Sequence, residues 1–276
     1  MAITNFIPTV WSEALYEELD KNYVGVKLCS REFEGDIKHQ GDRVKINGLG
    51  PVTVFDYEKN TDMPSPEVLS DNTRTLIIDQ AKGFNFYIDS IDDVQSSPKL
   101  IRAAMKKAAD SLGDEADKYI YSLEDEAVAH VTANAPTSED IIKHVSSVRR
   151  ILMENNVPNS AKISLEVPPV VEQLLVMANV LTDTNNTGTL AKGYIGKMLG
   201  FDIYVTNNIK KVDGAYRCIA RTDRAIAFAE QINSIKPYEP ELRNGTAVKG
   251  LHLYGAKIVY PKEMVFFDVT PADSVA

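Results

Sequence analysis

The chain is poor in the residues from which active sites and covalent frameworks are most often built. Two cysteines, Cys29 and Cys218, occur in 276 residues. They lie far apart and outside any CxxC or CxxH spacing, which points to buried thiols rather than a bridge or a metal site. The four histidines, His39, His130, His144 and His252, make no HxH or HxxxH pair, so local spacing supplies no metal ligand set. They read as helix-surface or strand-surface residues. No window reaches the roughly 18 continuous apolar residues of a membrane-spanning helix. The opening MAITNFIPTVW has neither the basic nor the apolar region of a secretory leader. A surplus of positive charge is missing too: 30 Lys plus Arg face 39 Asp plus Glu, a net charge of −9. That balance gives no general attraction to nucleic acid or to an anionic membrane.

Catalytic motifs are equally scarce. From Gly188 a phosphate loop would need Lys and Ser or Thr after Gly193, where the chain has Tyr194 and Ile195. Gly193 and Gly196 lack the leading pair of a dinucleotide fingerprint, and no GxSxG elbow occurs. Asp89, Asp92 and Asp93 precede a helix, where the backbone dipole stabilises carboxylates by ~0.3–1 kcal/mol and accounts for them without catalysis. Asn185 and Asn244 open glycosylation-like triplets that, without a leader, are incidental. No catalytic, cofactor or metal residue emerges.

What is present is a globular composition, 44% hydrophobic and 25% charged, arranged in an uneven order. Residues 1–35 read as an arm: an extended start, a short helix around SEALYEELDK, then polar sequence to Gly35. Trp11, Leu15 and Leu19 could share one face, too little to fold alone. Residues 42–92 are β-rich, with DRVKINGLGPVTVFDY and TLIIDQAKGFNFYIDSI predicted as two long strands around a polar, proline-bearing tip. Such a finger has too few contacts of its own.

From Pro98 no proline intervenes until Pro136, and apolar residues recur every three or four positions. One helix is predicted over 96–131, about 50 Å long. Ile101, Leu112 and Leu123 are spaced for a straight buried stripe. Lys106, Lys107, Asp110, Asp114, Glu115, Asp117, Lys118, Glu124 and Glu126 fall on the wet face. Next, TSEDIIKHVSSVRRILMENNVP predicts an amphipathic helix opened by Thr137 or Ser138. AKISLEV predicts a strand, and Pro168-Pro169 opens another helix. A polar loop over TDTNNTGTLAKGYIG leads into the β-like runs FDIYVTNNI, AYRCIAR and AIAFAEQI. The tail GLHLYGAKIVYPKEMVFFDV predicts two strands broken at Pro261.

An arm, a β-finger, a long helix and an α/β region returning to C-terminal strands follow the order of tailed-phage major capsid proteins of the Hong Kong 97 (HK97) fold. FIPTVWSEALYEELDKNYV resembles the opening of such coat proteins. KGFNFYIDSIDDVQSS resembles their passage from finger to spine helix, and GKMLGFDIYVTNNI, RAIAFAEQINSIKP and GLHLYGAKIVYPKEMV resemble their late body. The resemblance implies an α+β, HK97-like capsid fold with an N-terminal arm (1–35), an extended β-hairpin loop or E-loop (36–90), a peripheral domain with the spine helix (91–135 and 226–276) and an α/β axial domain (136–225).

It further implies a structural protein, not an enzyme. The chain would self-assemble as hexamers and pentamers into the icosahedral shell of a tailed bacteriophage, formed in the host cytoplasm. Intersubunit contacts are expected from Trp11 and Leu15 in the arm and from Tyr57, Lys59, Asp62, Met63 and Arg74 in the finger. A separate scaffolding protein and a portal are expected partners, with double-stranded DNA enclosed without sequence-specific binding and no membrane or cofactor. No cross-link chemistry is carried over to Lys59 and Asn60. An encapsulin-type cargo shell shares the implied fold, and a monomeric α/β enzyme with scattered site residues is the reading from another class.

Overall fold

The computed structural model describes residues 23–32, 43–49, 54–56, 59, 62, 65, 71–89, 99–158, 160–178, 194–241 and 245–271. The short arm helix falls outside them, as do the polar loop up to residue 193 and the start of the long helix before Lys99.

Three sheets and three helices make up the described body. A two-stranded finger pairs β1 (Arg43–Leu49) antiparallel with β2 (Asp71–Ile77). A three-stranded antiparallel sheet has the order β10–β11–β3, formed by Ile226–Tyr238, Gly245–Ile258 and Gln80–Asp89. The central mixed sheet runs β4–β12–β9–β5–β7–β6. Its strands are Ala129–Asn134, Met264–Thr270, Ala215–Thr222, Ile163–Val167, Phe201–Val205 and Tyr194–Met198. The short β8 (Lys211–Val212) pairs with β9.

The three helices are α1 (Lys99–Tyr121), α2 (Ser138–Glu154) and α3 (Pro169–Met177). None is long and apolar enough to cross a membrane among the described residues. α2 follows its local signals: the Thr137 hydroxyl accepts from the Asp140 backbone N–H, and Ile141, Val145, Val148 and Leu152 are buried along one face. α3 opens at Pro169, the first-turn position where a missing N–H costs nothing.

The central sheet separates two cores, and single strands feed both because side chains alternate in β structure. In β12, Val265, Phe267 and Val269 pack with α2 and α3, whereas Met264 and Phe266 enter the core under α1. β9 does the same, with Cys218 and Ala220 on one side and Ile219 on the other. A third, smaller core ties the finger's root to the body: Val44, Ile46, Leu76 and Ile78 pack on Ala227, Ala229, Leu253 and Val259.

Two expectations are corrected. The long helix ends at Tyr121, not near residue 131, so its described part spans 23 residues, about 35 Å. The Ser122 and Leu123 N–H groups bond back three residues, to the Tyr119 and Ile120 carbonyls. Asp125 then accepts from the Ala127 N–H and receives the Val128 N–H on its carbonyl. Residues 129–134 instead ladder in parallel with β12, giving the edge of the sheet a partner.

The second β-rich run is likewise two strands. β2 belongs to the finger and β3 to another sheet, and the chain changes sheets at Ile78-Asp79. Gly255 permits the crossing: a Cβ there would lie 2.2 Å from the Ile77 carbonyl oxygen. Both free cysteines are buried, as expected.

Candidate functional site

Residues 23–32 lie where the chain enters the body, and an unusual density of buried polar groups holds them. Asp117, one turn before the end of α1, is 1% exposed. Its carboxylate accepts from the Val24 N–H (2.9 Å) and the Val26 N–H (3.0 Å). Burial pushes its pKa up to about 6, against the backbone N–H groups of Val24, Val26 and Gly25, which favour the charge. The sequence reading had placed Asp117 on the wet face of the helix. Its ring of backbone donors is supplied by a segment more than 90 positions away, a partner that helical periodicity does not reveal.

Beside it, Arg221 on β9 and Glu166 on β5 form an ion pair in which both side chains are 0% exposed. Arg221 Nε donates to Glu166 Oε1 at 2.6 Å and Nη2 to Oε2 at 3.2 Å, a two-point contact. The same guanidinium donates to the Gly25 carbonyl at 2.8 Å and reaches the Cys29 sulfur at 2.9 Å. Burial works against the Arg221 charge, but the Glu166 carboxylate beside it, through its charge and its hydrogen bonds, raises the pKa. Burial also raises Cys29, keeping it a thiol. Glu166 is therefore the counter-ion and Cys29 a neutral acceptor.

A second hub is centred on Glu230 of β10. Its carboxylate accepts from the Tyr23 hydroxyl at 2.7 Å and from His252 Nε2 at 2.9 Å, and pairs with Arg31 at 3.0 Å. Burial alone would raise Glu230; His252, Arg31 and Tyr23 outweigh it and hold it below the ordinary value. His252 is fully buried, which corrects its reading as a surface residue. Of the other histidines, His130 lies on β4 and pairs with Asp268 at 3.1 Å; the His144 ring, on α2, stacks on Phe267. Ser30 completes the tether, donating its N–H to Ile226 and accepting from the Phe228 N–H, a one-residue parallel bridge to β10.

The expected contact residues fall into two groups. Trp11, Leu15, Tyr57 and Met63 lie outside the described residues. Lys59 and Asp62 are exposed in the stretch between β1 and β2. Arg74 is half-buried on β2; its guanidinium donates to the Asp125 carboxylate at 2.9 Å and the Ile258 carbonyl at 2.7 Å. Beyond β1, Val54 is 91% exposed and Phe55 48%.

A groove of about 460 Å³ opens between β3 and α1. Phe84 and Phe86 stack along one wall, ring centroids 6.0 Å apart, and Ala104, Ala108 and Leu112 form the other. Helical alanines leave the room that longer side chains would fill.

The sequence reading missed Asp117, Glu166, Arg221, Glu230, His252 and Tyr23. One signal was present: Glu166 and Arg221 are charged residues inside strongly apolar strand sequences. A charge in that setting is paired when buried.

No family model matches the chain, and no curated protein matches it. Solved structures do. One from Mycobacterium phage Che8 is 28% identical, with a TM-score of 0.70, over 89% of this chain and 90% of that one. The capsid of Ralstonia phage GP4 is 13% identical, with a TM-score of 0.69, over 94% and 92%. A virus-like particle from Pyrococcus furiosus is 13% identical, with a TM-score of 0.59, over 95% and 99%. The fold is α+β and HK97-like, that of tailed-phage major capsid proteins, as the sequence resemblance implied.

Proposed function

We propose that this chain is the major capsid protein of a tailed bacteriophage, a structural protein that self-assembles into the icosahedral shell around the genome. In this reading hexamers and pentamers of the chain form the shell, held by contacts of the arm and of the finger, which acts as the E-loop. Residues 1–35 are the arm, 36–90 the E-loop, 91–135 with 226–276 the peripheral domain and 136–225 the axial domain. Two strands from the peripheral stretches, β4 and β12, pair in the central sheet with β5, β6, β7 and β9 of the axial stretch.

The observation that carries the reading is the finger. Its root is packed against the body in the small third core, while Val54 and Phe55 beyond β1 stand in solvent. A monomeric enzyme gains nothing from that arrangement; a lattice gains an overlap repeated at every interface. The tether at residues 23–32 supports it, since it gives the preceding segment a fixed point of departure. A phage coat is favoured by the likeness to the structure from Mycobacterium phage Che8, at 28% identity and a TM-score of 0.70. A scaffolding protein and a portal are the partners in assembly, the acidic chain encloses double-stranded DNA without gripping it, and the mature protein resides in the virion.

Electron microscopy of the purified chain, alone and with a candidate scaffolding protein, tests the proposal. Closed shells in either preparation are expected. Shells without the second protein would remove the scaffold requirement, and compact monomers under both conditions would overturn the capsid reading.

A further inference from the structure

The tether at residues 23–32 is held to the body chiefly by side chains. Among the described residues its backbone contributes one 3-10 turn, Val26–Leu28, and one bridge, Ser30 to Ala227. The ladders beneath it, β5 with β9 and β10 with β11, pair without it. The segment can therefore leave, withdrawing Tyr23, Val26 and Cys29 from the core under α1, while the sheets stay paired. At its centre lies Asp117, a carboxylate in the last turn of α1, where the helix dipole disfavours negative charge. The charged groups around it are Glu166 of β5 and Arg221 of β9, and Arg221 already meets Glu166 at two points. Tyr121 of α1 and Tyr23 and Cys29 of the segment are kept neutral by burial. Arg31 is held by Glu230, and Asp114 and Lys118, on the same helix as Asp117, are exposed. An ionised Asp117 is thus a second buried carboxylate beside one cation. Gly25 brings the covering backbone close: a Cβ there would lie 3.3 Å from the Asp117 carboxylate and 3.0 Å from the Tyr121 hydroxyl.

From this arrangement we infer that residues 23–32 are a proton-coupled latch: the segment opens from the body as a unit of its own, and closing it over Asp117 takes up one proton. Acid tightens the latch, and neutral pH loosens it. Open, Asp117 is a carboxylate in water with its ordinary pKa of 3.8; closed, burial holds its proton to about pH 6. Closure is therefore strongest below about pH 4, weakens about a hundredfold as pH rises to about 7, and is constant beyond. The Val24 and Val26 N–H groups, which favour the charged form, keep the segment closed in the weaker state. A closed latch fixes the point from which the preceding chain departs, and an open one releases it. The device belongs to the single chain and does not depend on the shell reading.

The test is hydrogen exchange of the unassembled full chain, followed by mass spectrometry from about pH 4 to about pH 7.5 and corrected for the intrinsic pH dependence of exchange. Peptides covering residues 23–32 are compared with those covering α2. Protection of 23–32 is expected to fall about a hundredfold relative to α2 across the range, and Asp117→Asn to remove that fall. Should the variant fail to fold, carbon-13 titration of the Asp117 carboxyl in the unsubstituted chain gives the second readout, with a midpoint near 6 expected. Protection of 23–32 that is flat with pH, or an Asp117 midpoint near 4, overturns the proton coupling. A fall shared equally by α2 overturns the latch as a separate unit, and an unchanged fall in Asp117→Asn overturns the assignment to Asp117. None of these outcomes bears on whether the chain builds a shell.

Discussion

Replacing Arg221 by methionine deletes the charge that balances Glu166 while keeping a long apolar stem in its place. Both carboxylate oxygens of Glu166 now face the guanidinium, at 2.6 and 3.2 Å, and neither side chain has any exposure to water. The substitution leaves a carboxylate with no cation in a medium that cannot solvate it, a change that costs about 3–5 kcal/mol in comparable buried pairs. The Gly25 carbonyl and the Cys29 sulfur lose their donors as well, each worth roughly 1 kcal/mol. Arg224 with Glu263, an ion pair whose arginine is 58% exposed, should cost no more than about 1 kcal/mol when broken in the same way.

Urea unfolding of the unassembled chain at neutral pH would measure both losses. A companion Arg221→Met/Glu166→Leu variant removes the stranded charge and should regain most of the deficit, since an apolar pair of similar volume tolerates burial. A loss for Arg221→Met no larger than that for Arg224→Met, or a double variant no more stable than the single, would refute the assignment of Arg221–Glu166 as the desolvated centre of the tether.

Other expectations follow from the same geometry. Asp117 is ordinarily a group of pKa 3.8 and reaches about 6 in the fold, so the native chain holds its proton more tightly than the unfolded one. The contribution is therefore greatest at low pH, is lost as pH rises from about 4 to 6, and is constant above. Asp117→Asn should abolish this slope, so the stability of the native chain relative to the variant falls by up to about 3 kcal/mol across that window; equal pH dependence of the two would contradict it. Glu230→Gln removes the charge shared by Tyr23, His252 and Arg31, and should raise hydrogen exchange at residues 23–32 while leaving α2 unchanged. Gly255→Ala places a Cβ 2.2 Å from the Ile77 carbonyl and should cost more than about 2 kcal/mol in thermal unfolding. Gly214→Ala, at φ +85 with nothing within 4 Å, should cost only the ~1–2 kcal/mol of the left-handed backbone.

Local signals sufficed wherever the deciding atoms are close in sequence. Thr137, the acidic first turn and the 3.6-residue spacing of Ile141, Val145, Val148 and Leu152 lie within seventeen residues, so the start and buried face of α2 were legible, although the helix ends at Glu154 and not just before Pro158. The breaks at Pro168 and Pro261 are similarly local, because proline forbids its own backbone hydrogen bond wherever it stands. The order of arm, finger, helix and α/β body carried the resemblance to capsid proteins.

Long-range pairing decided the rest. The helical periodicity of residues 96–131 is continuous, yet the chain leaves the helix after Tyr121 because β12, more than 130 residues later, offers residues 129–134 a ladder. Residues 75–91 read as one strand, and only the passage of Gly255 beneath Ile77 shows why the described part of the run divides between two sheets. Asp117 had a place on the helix wheel but no visible partner until residues 24–26 supplied their N–H groups. The amino-acid order by itself thus determined α2 with its Thr137 cap, the opening of α3 at Pro169 and the HK97-like fold. The tertiary structure alone decided which charges are buried, where the arm is tethered and which surfaces are left open, because each depends on atoms brought together from distant parts of the chain.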